Sequence, residues 1–309
     1  MAGSKSVTLI GGIEAGGTKM VCAVAEVTGT KAEAEKGDAP RILARKSIPT
    51  TQPEETFTQM LDFFAEWDIA ALGIGCFGPL DLNRSSKTYG YITKTPKPGW
   101  EDCDFAGTFA RALKCPVGFD TDVNGAVLGE VTWGAARECD TAIYITVGTG
   151  VGVGVYCNGG LLHGLVHPEA GHILLNRNPK DTYRGKCPFH ENCMEGLAAG
   201  PAIEARWGAP AVALADRSEV WEIESDYIAQ AITSYILTYS PQKIILWGGV
   251  MHQTQLFGLV RERVQKLLGG YVHHPMVEDA IADYIVPPAL GEDPGILGAV
   301  CLGLREMER

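Results

Sequence analysis

Gly11-Gly12-Ile13-Glu14-Ala15-Gly16-Gly17-Thr18-Lys19 and, well downstream, Thr146-Val147-Gly148-Thr149-Gly150-Val151-Gly152 are the stretches that decide the fold. Apolar, β-branched runs flank both: Val7 to Ile10 and Val21 to Val27 around the first, Ala142 to Ile145 and Val153 to Tyr156 around the second. The pattern is strand, tight turn, strand. Glycines in such turns admit positive φ and expose backbone N–H groups, so the concave side can hold phosphate oxygens. Two such turns in one chain predict a nucleotide gripped from both sides.

Other phosphate motifs are excluded. No Gly-x-x-x-x-Gly-Lys followed by Ser or Thr occurs, so there is no P-loop. A Gly-x-Gly-x-x-Gly does occur at Gly73-Ile74-Gly75-Cys76-Phe77-Gly78, after an apolar run. A dinucleotide fold needs a helix to open there, and Pro79-Leu80-Asp81-Leu82-Asn83 is a turn sequence.

Together with the late Trp247-Gly248-Gly249-Val250, the two hairpins resemble the two phosphate motifs and the adenosine motif of the actin, hexokinase and Hsp70 superfamily. Within it the spacing resembles the ROK sugar kinases, and their fructokinase branch above all, from about Ile10 to Leu304. The resemblance implies an α/β protein of two actin-like (ribonuclease H-like) domains with a cleft between them. It also implies MgATP and a hexose as ligands, and a homodimer.

The 309 residues are 46% hydrophobic, enough to bury sizeable cores in two domains. Lys plus Arg number 26 against 37 Asp plus Glu, a net charge of −11. That balance argues against nucleic acid as a partner, since phosphate-backbone binding rests on clustered Lys and Arg. Met1 to Ser6 lack the apolar core of a signal peptide, and no stretch has the length of a membrane span, so a cytoplasmic protein with no membrane contact is expected. Nine cysteines are an odd number. Cys22, Cys76, Cys115, Cys139, Cys157 and Cys301 stand singly in apolar surroundings and read as reduced, buried thiols.

Along the chain, helices are predicted near 53–65, 105–113 and 125–133, from about Pro201, and over 226–238, 255–268 and 294–308. Strands are predicted at 71–75, 117–119 and 244–247, and long polar loops over 81–104 and 175–186. The second hairpin echoes the first, which predicts an internal duplication. Gly295, Gly298 and Gly303 lie on or near one side of the last helix and allow it to pack closely on the first domain. The expected domains are 1–119 with 294–309, and 120–293 carrying a zinc-binding loop.

Phosphoryl transfer to a hydroxyl needs a base, a cation and donors that cradle charge. Asp122, where a strand stops and a helix starts, is the candidate base; capping of that helix by Asp120 or Asp122 is the alternative reading. The resemblance gives Asp122 the proton-accepting role and Asn124 a sugar contact. Glu14, where the superfamily generally has Asp, is expected to organise water on Mg²⁺. Lys19 either offsets phosphate charge or is a solvated strand residue. The nucleotide set is completed by Gly16, Gly17, Thr18, Thr146, Gly148, Thr149, Gly150, Pro201, Gly248, Gly249 and Val250.

Cys187 and Cys193 with His190 between them, and His172 upstream of all three, supply four ligands suited to tetrahedral Zn²⁺. The ROK zinc loop they resemble often has a third Cys where His190 stands, which leaves His167 as a substitute ligand. Four protein ligands leave no open position, so the zinc is expected to be structural. By resemblance Glu169 and His172 face the sugar, and Glu195 adds a carboxylate. Where the family pattern continues to a Ser near position 199, this chain has Ala198-Ala199-Gly200.

Phe77-Gly78-Pro79-Leu80-Asp81 and Thr95-Pro96-Lys97-Pro98-Gly99-Trp100 are two further candidate sugar loops, with Gly78, Pro79 and Thr95 as contacts. Trp100 either caps the sugar pocket or packs in the hinge. The second loop is similar to one in bacterial fructokinases and points to D-fructose, with mannose, glucose and an N-acetylated hexosamine as alternatives. ROK regulators carry a DNA-binding segment ahead of the first hairpin, and here that hairpin begins within about a dozen residues of Met1. A non-catalytic sugar-binding protein is expected to lack the base or a hairpin glycine, and both are present.

Overall fold

Apolar alternation across a glycine turn does build a hairpin: β1 (Val7–Ala15) pairs antiparallel with β2 (Lys19–Thr28) in the computed structural model, which describes residues 6–307. The first unit adds β3 (Arg41–Pro49), β4 (Ala71–Cys76), the short ribbon of β5 (Tyr91–Ile92) and β6 (Cys103–Asp104), and β7 (Val117–Thr121). Its main sheet has the order β3-β2-β1-β4-β7, with β4 parallel to both β1 and β7. All six residues of β4 are buried, as befits a parallel strand covered on both faces.

Helices α1 (Lys31–Lys36), α2 (Pro53–Phe64), α3 (Phe105–Leu113) and α4 (Asp122–Trp133) belong to the same unit. Phe57, Trp100, Phe105 and Phe109 interlock beneath the sheet with ring centroids 4.7 to 6.2 Å apart. Aromatic pairs at such separations add about 1 kcal/mol each beyond their burial.

The second unit contains β8 (Ala142–Val147), β9 (Val151–Cys157), the first residue of β10 (Gly160–Leu161), α5 (Met194–Ala198), α6 (Gly200–Trp207) and α7 (Ser218–Tyr239). After these come β11 (Lys243–Trp247), α8 (Gln255–Leu268), α9 (Pro275–Glu278), α10 (Ile281–Tyr284) and β12 (Ile285–Val286). Its sheet runs β10-β9-β8-β11-β12, with β8 and β9 antiparallel and β8, β11 and β12 parallel. Position for position this is the order of the first sheet, which bears out the duplication expected from the hairpins.

By contacts the first unit comprises the chain to Glu138, Leu161–Pro168 and Ala289 onward; the second comprises Cys139–Gly160 and Glu169–Pro288. The break therefore falls after Glu138, not at 119/120, because α4 packs on the last helix, α11 (Pro294–Glu306). That contact is a glycine seam. A Cβ on Gly298 would lie 1.7 Å from the carbonyl oxygen of Gly125, and one on Gly73 would lie 1.7 Å from that of Ala299. Gly73 of the excluded dinucleotide pattern thus has a packing reason. Glu308, expected to end α11, lies outside the described residues.

Two further expectations are corrected. The loop over 81–104 contains β5 and β6, and α7 begins at Ser218, ahead of the expected start at Asp226, because Val220, Trp221 and Ile223 already bury one face. None of the nine cysteines, all among the described residues, forms a disulfide, but Cys115, Cys139 and Cys157 are half-buried, unlike the buried Cys22, Cys76 and Cys301. Among the described residues no helix is long and apolar enough to cross a membrane.

Candidate active site

In the first unit, Gly16, Gly17 and Thr18 form the turn between β1 and β2, closed by a hydrogen bond from the Gly16 N–H to the Lys19 carbonyl. Gly17, Thr18 and Lys19 are exposed. Glu14 lies on β1 against the first turn of α11, where a Cβ on Gly295 would meet its carboxylate carbon at 2.5 Å. Burial pushes the Glu14 carboxyl up, while the charges of Arg45 and Lys19 pull it down and that of Asp293 raises it. Lys19, the exposed first residue of β2, sits within electrostatic reach of Glu14. A bound divalent cation is the larger charge and would hold Glu14 ionised.

Asp122 is the first residue of α4, directly after β7, and its Oδ1 accepts a hydrogen bond from the Val123 N–H at 2.8 Å. The helix cap is Thr121, whose hydroxyl accepts from the Asn124 N–H at 3.1 Å. The N-cap position therefore belongs to Thr121 and not to Asp120 or Asp122, although Asp122 does serve the first-turn N–H of Val123. Asp120 is buried; its Oδ1 accepts from the Thr121 N–H and from the Asn124 amide at 2.7 Å, and its Oδ2 lies 2.8 Å from His163 Nε2. Asn124, expected on the sugar, is 2% exposed and commits its amide nitrogen to Asp120.

The candidate sugar loops of this unit are tied to buried neighbours. His167 is buried, its Nε2 accepts from the Leu80 N–H at 3.1 Å, and its ring lies against Gly78. It is therefore removed as a substitute metal ligand. Pro79, cis after Gly78, has its carbonyl engaged by the Thr93 N–H and hydroxyl. Thr95 accepts from the Lys97 N–H at 3.3 Å. Trp100 packs and does not cap a pocket: it is fully buried in the aromatic core of the first unit, with its indole N–H donating to the Thr51 carbonyl at 2.8 Å.

In the second unit the turn Gly148, Thr149, Gly150 is met by the start of α6, whose Gly200 N–H donates to the Gly148 carbonyl at 2.8 Å. Pro201 follows in the first helical turn, where a missing N–H costs nothing. Thr146 pairs across the sheet with Trp247, which brings Gly248 and Gly249 beside the turn. Gly248 has φ +103°, and a Cβ there would lie 2.4 Å from the Val147 carbonyl oxygen. Val250 is buried near Gly200. The whole expected nucleotide set of this unit is thus gathered around one turn.

The metal ligands come together as well. His172, Cys187, His190 and Cys193 offer ligand atoms that all lie within 4.8 Å of one another. His172 Nδ1 is 3.7 Å from Cys187 Sγ and 3.5 Å from Cys193 Sγ, and His190 Nδ1 is 3.8 Å from Cys187 Sγ. Tetrahedral zinc with ordinary Zn–S and Zn–N bonds sets such edges at about 3.6 Å, so the donor set fits. Burial pushes the Cys193 thiol up to about 11.

Glu195 extends the cluster. One carboxylate oxygen is 3.9 Å from His172 Nε2, and the other accepts from the Val151 N–H at 3.1 Å. At 3.9 Å the carboxylate is a charged neighbour of the imidazole and not a hydrogen-bond partner. Glu169 is exposed, and its carbonyl accepts from the His172 N–H at 2.9 Å.

Asp120 was read only as a possible cap and Lys97 only as part of a loop, and Thr50, His163 and Asp293 were missed by the sequence reading. Each is a single polar residue between unrelated stretches, and only the fold brings it to the motif it supports.

The profile of the ROK family matches residues 10–306. A fructokinase from Pediococcus pentosaceus is 46% identical over 294 residues, 95% of this chain and 97% of the relative. A fructokinase from Streptococcus mutans is 42% identical over 300 residues, 96% and 95% of the two chains. The crystal structure of a ROK hexokinase from Thermus thermophilus superposes with a TM-score of 0.76 at 25% identity, covering 98% of this chain and 99% of that one.

Proposed function

The chain belongs to the ROK family, and from that premise we propose that it is an ATP-dependent sugar kinase that converts D-fructose to D-fructose 6-phosphate. Similarity to fructokinases at 46% and 42% identity over nearly the full chain supports both the reaction and the sugar.

Asp122 is the general base. The 6-hydroxyl oxygen of fructose attacks the γ-phosphorus, its proton passes to the Asp122 carboxylate, and the bond from the γ-phosphorus to the bridging oxygen breaks to release ADP. The observation that supports this role is local: Thr121 holds the N-cap position of α4, which sets Asp122 at the first helical residue, directly at the end of β7. Asp120, held by Asn124 and His163, fixes the strand end that presents the base.

In the first unit the N–H groups of the Gly16 to Thr18 turn, and in the second those of Gly148 to Gly150 with Gly248 and Gly249, bind phosphate and nucleotide. Mg²⁺ neutralises phosphate charge when bound, and Glu14 orients its water shell. Glu169 and Glu195 accept hydrogen bonds from sugar hydroxyls, His172, whose Nδ1 faces the metal site, donates one from its Nε2–H, and Gly78, Pro79 and Thr95 shape the sugar loops. His172, Cys187, His190 and Cys193 hold a structural Zn²⁺ that fixes the loop carrying those carboxylates. We take the protein to be a cytoplasmic homodimer.

The test is ADP release by purified protein with MgATP across D-fructose, D-mannose, D-glucose and N-acetylmannosamine, with Asp122→Asn in parallel. Turnover strongest on fructose and about 10³-fold lower in the variant supports substrate and base together. Undiminished turnover in Asp122→Asn removes Asp122 from the mechanism. Absence of turnover on every sugar sinks the kinase reading.

A further inference from the structure

We propose that Lys97 is a positioning residue that tethers the first phosphate turn to the Thr95–Trp100 loop and thereby couples nucleotide binding to sugar binding. The inference rests on the kinase reading above and adds a residue and a coupling to it.

Three successive carbonyls of the turn are each held by a donor. The Thr50 hydroxyl donates to the Gly16 carbonyl at 2.7 Å, the Lys97 ammonium donates to the Gly17 carbonyl, and the Thr50 N–H donates to the Thr18 carbonyl at 3.0 Å. In a planar trans peptide the carbonyl of one residue and the N–H of the next point in opposite directions. Tying back the Gly16 and Gly17 carbonyls therefore turns the Gly17 and Thr18 N–H groups outward, which is the arrangement that receives an anion.

Two of the three tethers come from Thr50, one residue beyond the end of β3, and move only with the sheet. The middle one comes from a different loop, and that loop is stiff. Pro96 and Pro98 flank the lysine, its N–H donates to Thr95 Oγ1, its carbonyl accepts from the Trp100 N–H at 3.2 Å, and Trp100 is anchored in the core through Thr51. A second donation from Lys97, to the Thr50 carbonyl at 3.3 Å, closes the link. The ammonium thus arrives at the turn preset by the same loop that carries Thr95, and it sets a positive charge behind the N–H groups. Any shift of the loop on binding sugar moves the Gly17 peptide, and any ordering of that peptide by phosphate orders the loop.

The test uses Lys97→Met, which keeps the length of the stem, and Lys97→Arg, which keeps the donor and the charge. Calorimetry measures the affinity of AMP-PNP with Mg²⁺, with and without D-fructose, and the affinity of D-fructose alone. Losing a charge-assisted hydrogen bond predicts AMP-PNP binding about 10-fold or more weaker in Lys97→Met. Fructose binding in the absence of nucleotide should stay within about twofold, the enhancement of AMP-PNP affinity by fructose should be lost, and Lys97→Arg should recover most of both. Wild-type AMP-PNP affinity and enhancement in Lys97→Met overturn the proposal. So do equal losses for nucleotide and sugar together with a lowered melting temperature, which mark a merely structural lysine. If the wild type binds AMP-PNP but phosphorylates no hexose, the kinase reading fails while the nucleotide arm still decides whether Lys97 holds the turn. Absence of AMP-PNP binding by the wild type overturns both.

Discussion

His163 Nε2 lies 2.8 Å from Asp120 Oδ2, which joins a half-exposed imidazole to a buried carboxylate two residues before Asp122. The hydrogen bond and the charge of Asp120 raise the His163 imidazole above its ordinary 6.5, against the opposing effect of partial burial. A histidine raised in the folded state contributes stability that is full below its unfolded value and is lost as pH rises through the folded one. Replacing His163 by Gln should therefore lower the melting temperature most at about pH 6 and least at about pH 9, relative to wild type. Equal deficits at both pH values, measured by scanning calorimetry, would show that the pair is not ionic.

The four-ligand cluster predicts one zinc per chain by elemental analysis. Stripping it with a chelator, or replacing Cys187 by Ser, should lower the melting temperature and raise the KM for fructose more than that for ATP, because His172 belongs to both the metal set and the sugar set. Unchanged melting and KM values after verified removal of the metal would show that the loop needs no cation.

At the glycine seam, Gly298→Ala places a methyl carbon 1.7 Å from a backbone oxygen of α4, a contact that no rotamer relieves. Overpacking of this kind costs about 3 kcal/mol or prevents folding. Soluble expression and urea unfolding read the effect; the neighbouring surface change Glu292→Ala is the control and should lie within about 0.5 kcal/mol of wild type.

Glu130 is fully buried on α4, and its carboxylate accepts from the N–H groups of Ala135, Ala289 and Leu290. Removing one acceptor that serves three such donors should cost about 3 kcal/mol in Glu130→Ala, read by urea unfolding. Glu130→Gln keeps part of that acceptance and should cost less. Equal losses in both variants would attribute the effect to packing alone.

Whatever depended on local chemistry was legible in the sequence. Both glycine turns, the 255–268 helix and the four metal ligands are marked by short-range spacing, and the structure has each where the spacing sets it. What depended on approach through space was not. Trp100, at the end of a Pro- and Gly-rich loop, read equally as a pocket cap or as a packed residue until Phe57, Phe77 and Phe105 claimed it for the core. The domain break was misplaced because nothing around Asp120 announces that α4 rests on a helix from the far end of the chain. His167 stood as a spare ligand until the fold set it against Gly78 and Leu80, since an imidazole beside a Cys/His loop reads the same whether it faces a metal or a backbone N–H.

The seam between α4 and α11 also orders events in time. The strands of the first unit's sheet are all made once Thr121 has been added, but the helix that covers β4 ends only at Glu306, after the whole second unit. At about 5–20 residues per second the ribosome takes roughly 10–40 s to supply it. Throughout that interval Gly73 and its neighbours on β4 present a bare apolar surface, while the second unit, complete by Pro288, is already able to collapse. The half of the protein that is made first is therefore the half that finishes folding last, and a nascent chain stalled before Pro294 should be a preferred client for chaperones that recognise exposed strands.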